Sequence, residues 1–176
     1  MKKFLQKLKL LDIFTTNLKL SKKDFVENLS AITEDGSVGF FTNLFESFSA
    51  DKYEYIGQVN FDGFKLRKRM RFFNNYHNVA VARGAIKENE GQLTIETEVN
   101  GFSSYMVFFY TLFTIGYSIM LIAIISAYPQ DSFGLLILIG FGILMIITTC
   151  FGMKRSVRRL KYDLEREFFY LTRETT

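Results

Sequence analysis

The sequence is poor in the residues on which most metal sites depend. Its 176 residues include one cysteine, Cys150, and one histidine, His77. A single cysteine excludes an internal disulfide, and no second cysteine or histidine lies near His77 to complete a metal site. We interpret His77 as a turn residue and Cys150 as an apolar filler, with a reactive or lipid-modified thiol as the alternative.

Two common patterns of catalysis are also missing. The chain has no glycine-rich phosphate-binding loop of standard spacing, and no histidine lies close in sequence to Ser103 or Ser104 to act as a base. We therefore predict no catalytic residue, no cofactor and no metal ligand, and a protein that is not an enzyme. An active site assembled from distant residues by folding is the alternative.

Charge is absent from two long stretches. Residues 105–128 and 133–153 contain no Asp, Glu, Lys, Arg or His, and as helices they would be about 36 Å and 32 Å long. Either length spans a hydrocarbon core of about 30 Å. Two buried helices of a soluble protein would need more chain than remains to cover them. The sequence therefore predicts a transmembrane helical hairpin over residues 105–153, embedded in a lipid bilayer.

The distribution of positive charge predicts an orientation. The loop between the two spans has no Lys or Arg, whereas the chain after the second span is strongly basic over residues 154–161. By the positive-inside rule, both ends of the hairpin are cytoplasmic. The apolar residues near the amino terminus are interrupted by two lysines and an aspartate between positions 7 and 12, so we predict no cleaved signal.

Residues 1–104 are predicted to form a cytoplasmic α+β domain. Ser21 and Asp24 have the spacing of an N-cap and its capping acid, and the helix that follows places Phe25, Leu29 and Ile32 on one face. Alternating apolar and polar residues then predict a sheet of four antiparallel strands, at about residues 53–60, 64–73, 79–87 and 92–100. We expect one face of the sheet to pack on the helix.

Two parts of this domain have no clear period. Phe4, Leu8 and Leu11 have helical spacing, whereas residues 18–20 look like a short strand. Residues 39–50 are rich in phenylalanine, which we interpret as core filling for the sheet. A segment that lies against lipid headgroups is the alternative.

The second predicted strand carries the most distinctive surface of the domain. Its apolar residues alternate with a row of cations: Lys65, Arg67, Arg69 and Arg71. Cations at every second residue could contact several phosphates at once, and anionic lipid headgroups are the nearest phosphates to a membrane-anchored domain. Nucleic acid is not favoured, because Phe64 and Phe72 point away from the row. A solvated face balanced by Glu96 and Glu98 is the alternative.

Residues 154–176 predict a basic amphipathic cytoplasmic helix. Its apolar stripe has spacings of three and four: Val157, Leu160, Leu164, Phe168 and Leu171. The stripe could cover the amino-terminal domain, pair with another subunit or lie on the membrane. In the last case its first cations would meet lipid phosphates, and they join the strand row as candidate lipid-binding residues: Lys154, Arg155, Arg158 and Arg159.

Small residues within the two spans predict close helix packing. The candidate positions are Gly116 and Ala123 in the first span and Gly140 and Gly142 in the second, either within the hairpin or between protomers. No ionisable side chain lies at mid-span, which argues against a transporter of polar solutes unless the chain forms oligomers.

The sheet region carries a series of aromatic, aliphatic and glycine positions. They are Tyr55, Gly57, Val59, Phe64, Leu66, Gly84 and Ile86, with Lys68 where an arginine is usual and Asn74 or Asn75 in the turn. Followed by the hairpin, this series resembles a loose group of small, uncharacterised bacterial inner-membrane proteins with two spans. The turn NNYHN lacks the proline of that group. The resemblance implies a bacterial inner-membrane location and no particular activity.

Three functions are compatible with these features. The first is a non-enzymatic, membrane-anchored interaction module or accessory subunit, which would hold a protein partner or a second copy at the inner leaflet. The second is a domain that binds anionic lipid or another polyanion through the cationic strand and the tail. The third, weaker alternative is an oligomeric pore or small transporter.

Overall fold

A computed structural model describes residues 2–36, 38, 53–69, 79–89, 92–102, 104–127 and 132–173. Four helices and six strands occur in these ranges. In chain order they are α1 Lys2–Lys7, β1 Leu11–Leu18, α2 Lys22–Ala31, β2 Thr33–Asp35, β3 Tyr55–Asn60, β4 Gly63–Lys68, β5 Val81–Asn89, β6 Gln92–Asn100, α3 Ser104–Ala127 and α4 Ser132–Arg173. The α+β class predicted from the sequence is confirmed.

The strands form one six-stranded sheet in the order β1-β6-β5-β4-β3-β2. Neighbouring strands are antiparallel except β2, which is parallel to β3. The prediction of four antiparallel strands is wrong, because β1 and β2 add one strand at each edge and make the sheet mixed. β1 sends Phe14 and Leu18 into the core, and their spacing of four is the spacing of a helix. β2 has only three residues and reads in sequence as the end of the preceding helix.

The inner strands agree with the sequence in part. β6 has the predicted bounds, whereas β4 ends at Lys68 rather than at residue 73. The last part of that predicted strand lies outside the described residues, as do the phenylalanine-rich residues 39–50 and His77. α2 begins as predicted, because the Asp24 backbone N–H donates to the Ser21 Oγ at 3.1 Å.

One face of the sheet is covered by α2 and by the second half of α4. The covered face is lined by apolar residues of every long strand, among them Phe14, Leu66 and Ile95. Phe168 of α4 is fully buried at the centre, with its ring centroid 5.4 Å from that of Phe25 and 5.9 Å from that of Phe64. The opposite face, which we name the outer face, carries Lys65, Arg83, Lys87, Glu96 and Glu98.

The tail stripe is part of this core. All five of its residues are buried: Val157, Leu160, Leu164, Phe168 and Leu171. The sequence left three partners open for the stripe: the amino-terminal domain, another subunit or the membrane. In the structure the stripe packs against the amino-terminal domain. The predicted boundary between span and tail lies inside one continuous helix, because α4 runs for 42 residues, about 63 Å, without a break.

α3 and the first half of α4 are each long and apolar enough to cross a membrane. Their apolar side chains are exposed, including Ile122 at 65% and Leu136 at 70%. The two helices contact each other where Tyr117 lies against Gly142, and the Tyr117 hydroxyl donates to the carbonyl oxygen of Leu138. Exposed apolar surface of this extent on a soluble protein would favour aggregation.

Candidate anion-binding surfaces

The predicted row of cations is not one continuous surface. Lys65 is exposed, but Arg67 and Arg69 are only 2% and 5% exposed, and Arg71 lies outside the described residues. The Arg69 guanidinium donates to the Glu34 carboxylate at 2.9 Å. Glu34 belongs to β2, the edge strand that the sequence did not predict, so the alternation of β4 identified the correct face without showing that its end is buried.

Lys65 instead has a cationic neighbour on the next strand. It lies directly opposite Arg83 of β5, and both side chains are exposed. Within the described part of the chain neither forms an ion pair. Like charges at opposing positions of a sheet repel each other. Sequence reasoning missed Arg83, because the register of β4 with β5 depends on the connection between them and not on the alternation of either strand.

The other charges of the outer face are balanced. Lys87 pairs with Glu96 at 3.2 Å, and Lys2 of α1 pairs with Glu98 at 2.7 Å. The two glutamates were expected to balance the cations of β4, but their partners lie on β5 and α1. Arg83 also lies directly opposite Glu98 of β6, but the Glu98 carboxylate pairs with Lys2. Among the described residues of the outer face, Lys65 and Arg83 are therefore neighbouring exposed cations without an ion pair.

A second basic site lies between α4 and the start of the sheet. A groove of about 410 Å³ is lined by Gln6, Lys9, Leu11, Asp12, Ile13, Lys154, Val157 and Arg158. Two of the predicted tail cations, Lys154 and Arg158, contribute to it. Arg155 is exposed and Arg159 half-buried on the same helix, and neither lines the groove. We name this the basic groove.

Asp12 is the one acidic side chain among the described residues that line the basic groove, and both of its carboxylate oxygens accept hydrogen bonds. Oδ2 accepts from the Lys161 Nζ at 3.1 Å, and Oδ1 accepts from the Ile13 backbone N–H at 2.9 Å. Lys161 also lies 5.5 Å from the centroid of the Phe14 ring. The carboxylate is thus neutralised from the side of the core, which leaves the groove with a net positive charge.

Lys9 enters the groove through an unusual backbone conformation. Its φ is 56°, in the left-handed region where glycine is preferred. The Lys9 N–H donates to the Gln6 carbonyl oxygen and the Leu10 N–H to that of Leu5, both at 2.9 Å. This is the Schellman pattern that ends many helices, with Lys9 at the position usually held by glycine. The apolar contact between Leu5 and Leu10 completes the motif.

An ionic cluster at the other end of the sheet fixes α4 to β3 and β4. The Lys68 Nζ lies 2.6 Å from the Asp163 carboxylate and 2.9 Å from that of Glu54. Burial lowers the pKa of Lys68, but hydrogen bonds to Asp163 and Glu54 outweigh it, so the pKa is raised above 10.5. Lys68 therefore stays protonated and is unsuited to act as a base.

Tyr55 lies beside this cluster. Burial, reinforced by the charge of Glu54, raises the pKa of Tyr55 well above its ordinary value of 10.0. Its hydroxyl is buried and has no hydrogen-bond partner among the described residues. A phenol in this state is neither an acid nor a nucleophile at neutral pH, so its side chain contributes packing.

The four predicted helix-packing positions differ in their surroundings. At Gly142 an added Cβ would lie 2.6 Å from the Tyr117 hydroxyl oxygen, so this glycine is required for the contact between α3 and α4. At Gly116 and Gly140 an added Cβ would meet nothing within 4 Å, and Ala123 is exposed. The structure therefore places one of the four in the hairpin contact.

Among the described residues, no three His, Cys, Asp or Glu side chains are arranged to hold a metal ion. Cys150 is half-buried on the apolar half of α4. The fold thus defines an α+β domain with two basic sites on its surface, continuous with a pair of apolar helices. Comparison of the chain with protein-family models, curated proteins and solved structures gives no significant match.

Proposed function

We propose that this protein is a non-enzymatic, membrane-anchored interaction module of the bacterial inner membrane. α3 and the apolar half of α4 would cross the bilayer, and the domain would lie in the cytoplasm with both termini. The basic residues that follow the second span support this orientation. Residues before α3 and after the apolar half of α4 share one core, which supports the placement of both on one side of the membrane.

The continuity of α4 carries the proposal. Residues on its first half, such as Leu136 and Ile146, expose apolar side chains, and residues on its second half, such as Leu164 and Phe168, are fully buried in the domain. No linker separates the two halves. A domain attached in this way is held at a fixed height and orientation above the bilayer, which suits a surface that must meet a partner in the same membrane.

The outer face at Lys65 and Arg83 is the surface that we assign to the partner. The tail stripe is buried, so it is not available for a second subunit in this fold. Two exposed cations without an ion pair in the described residues complement acidic side chains, and such complementarity increases the specificity and rate of association. The proposed partner is therefore a membrane-associated protein with an exposed acidic segment.

Purification from native membranes in a mild detergent tests this function. The mass of the intact complex and the identity of co-purifying proteins would be compared between the natural chain and the variant Lys65→Glu/Arg83→Glu. The matched control is Lys19→Glu/Lys23→Glu, which reverses two exposed charges away from the outer face.

We expect a stoichiometric protein partner with the natural chain and the control, and its loss from the outer-face variant. A complex that contains only copies of this chain, or a partner retained by the outer-face variant, would contradict the assignment of the partner surface. A protein that is recovered from the soluble fraction would contradict membrane anchoring itself.

A further inference from the structure

We propose that the basic groove binds the phosphate group of an anionic phospholipid. The inference rests on the membrane placement proposed above, and it assigns a ligand to a site that the interaction with a protein partner does not use. Three cations from two distant parts of the chain line it: Lys9 after α1, and Lys154 and Arg158 on α4. A phosphate offers several acceptor oxygens to such a set of donors.

The height of the groove fits a lipid headgroup. Met153 is the last residue of the charge-free stretch, and Lys154 and Arg158 lie about 1.5 Å and 7.5 Å further along the helix axis. The headgroup layer extends about 5–8 Å beyond the hydrocarbon core on each side. Both cations would therefore lie within that layer. Lys154 lies 5.9 Å from the centroid of the Phe151 ring, so its ammonium group remains close to the apolar half of α4.

The backbone at Lys9 is the second observation that points to a ligand. A side chain in the left-handed region destabilises the folded chain relative to glycine, and such outliers concentrate at binding sites. α1 would end as well, and with less strain, on a glycine. A lysine at this position is explained if its charge is needed in the groove together with those of Lys154 and Arg158.

Binding can be tested with the full-length protein, purified in a neutral detergent and stripped of lipid. Three probes would be titrated: phosphatidylglycerol, phosphatidylcholine and the soluble compound glycerol phosphate. Native mass spectrometry would count bound lipid, and the shift in melting temperature would report occupancy. Phosphatidylcholine controls for the acyl chains, and glycerol phosphate distinguishes a free phosphate from a lipid headgroup.

Lys9→Gly is the most informative variant, since a loss of folding cannot explain its effect. We expect it to melt at the same or a higher temperature without lipid, while its affinity for phosphatidylglycerol falls by about fivefold. Lys154→Gln/Arg158→Gln should weaken binding by at least as much. The control is Lys19→Gln, which removes an exposed charge outside the groove and should bind lipid like the natural chain.

Preferential binding of phosphatidylglycerol over phosphatidylcholine, reduced by the groove variants and not by the control, supports the proposal. If glycerol phosphate raised the melting temperature as much as phosphatidylglycerol, the ligand would be a free phosphate group and not a lipid. Equal binding of both lipids, or groove variants that respond like the natural chain, would overturn the site. Membrane fractionation of the natural chain, performed separately, distinguishes failure of the groove from failure of membrane anchoring.

Discussion

Lys65 and Arg83 lie directly opposite each other on β4 and β5, and both are exposed. Two positive charges in opposing positions of an antiparallel pair destabilise the sheet, by about 0.2–1 kcal/mol at the usual scale of cross-strand interactions. Arg83 has Glu98 opposite it on β6, whereas Lys65 has the neutral Gln58 opposite it on β3. The repulsion is therefore least compensated at Lys65, and a negative group above the pair would relieve it.

Lys65→Glu should therefore stabilise the domain. The new carboxylate would face Arg83 and replace a repulsion by an attraction, with an expected gain of about 0.2–1 kcal/mol in the free energy of unfolding. Denaturant titration at low salt measures this gain, which should shrink at about 1 M salt, where the screening length is about 3 Å. The same gain from Lys19→Glu would show that net charge, and not the pair, is responsible.

Stability should fall as the pH rises above about 10. The pKa values of Lys68 and Tyr55 are both raised in the folded protein, so the unfolded chain loses these protons first. The contribution of each group to stability is complete below the pKa that the group has in the unfolded chain. It is lost as the pH rises through the higher pKa of the folded protein. Melting temperatures measured between about pH 8 and 11 test the sign.

Two variants test which residue causes the loss of stability at high pH. Tyr55→Phe removes a buried hydroxyl that has no hydrogen-bond partner in the described part of the chain. Stability at neutral pH should therefore be unchanged or higher, and the loss of stability at high pH smaller. Asp163→Asn removes one of the two carboxylates of Lys68 and should cost about 1.5–3 kcal/mol at neutral pH. If Asp163→Asn leaves the stability unchanged, the ion pair between Lys68 and Glu54 is sufficient to stabilise the partly buried ammonium group.

Phe168→Ala should be among the most destabilising substitutions in the domain. The ring is fully buried between α2 and the sheet, and its removal leaves a cavity worth about 3–5 kcal/mol in the free energy of unfolding. Phe169→Ala is the matched control: its ring is 61% exposed, and its loss should cost less than about 0.5 kcal/mol. Equal effects of the two variants would contradict the docking of the tail helix on the sheet.

Gly142→Ala should loosen the contact between the two apolar helices. The added methyl group would displace the Tyr117 ring and disturb its hydrogen bond to Leu138, at a cost of about 1–3 kcal/mol. Gly140→Ala, with open space around the new Cβ, is the control. Unfolding in detergent measures both. In a Tyr117→Ala background the effect of Gly142→Ala should disappear, and its persistence would point to a different contact.

The sequence predicted the elements whose local pattern and tertiary role agree. β6 alternates cleanly because one face is buried and the other solvated along its full length. α2 begins directly after its N-cap Ser21, as predicted, because the capping bond is local. β1 was missed because its core residues Phe14 and Leu18 are four apart. β2 was missed because three residues paired with a distant strand have no period of their own.

The candidate sites were less accessible to sequence reasoning. Burial of Arg67 and Arg69 depends on neighbours from other elements, and alternation within β4 cannot reveal it. The basic groove joins residues about 145 positions apart, Lys9 and Lys154, so no local pattern contains it. The sequence named the tail cations Lys154 and Arg158 as candidate lipid-binding residues, and that role stays a prediction. It did not name Lys9, the third cation of the groove, which lies just after α1.

The position of α4 in the chain also has a consequence for biosynthesis. The sheet is complete at Asn100, but only α2 is then available to cover it, because the residues of α4 that cover the rest, from Val157 to Leu171, are made after both apolar stretches. During synthesis, the strand residues that α4 covers therefore remain exposed until the hairpin has emerged and been inserted into the membrane. Insertion of the hairpin and closure of the core become successive stages of one process, so a defect in the first stage should expose the sheet to aggregation.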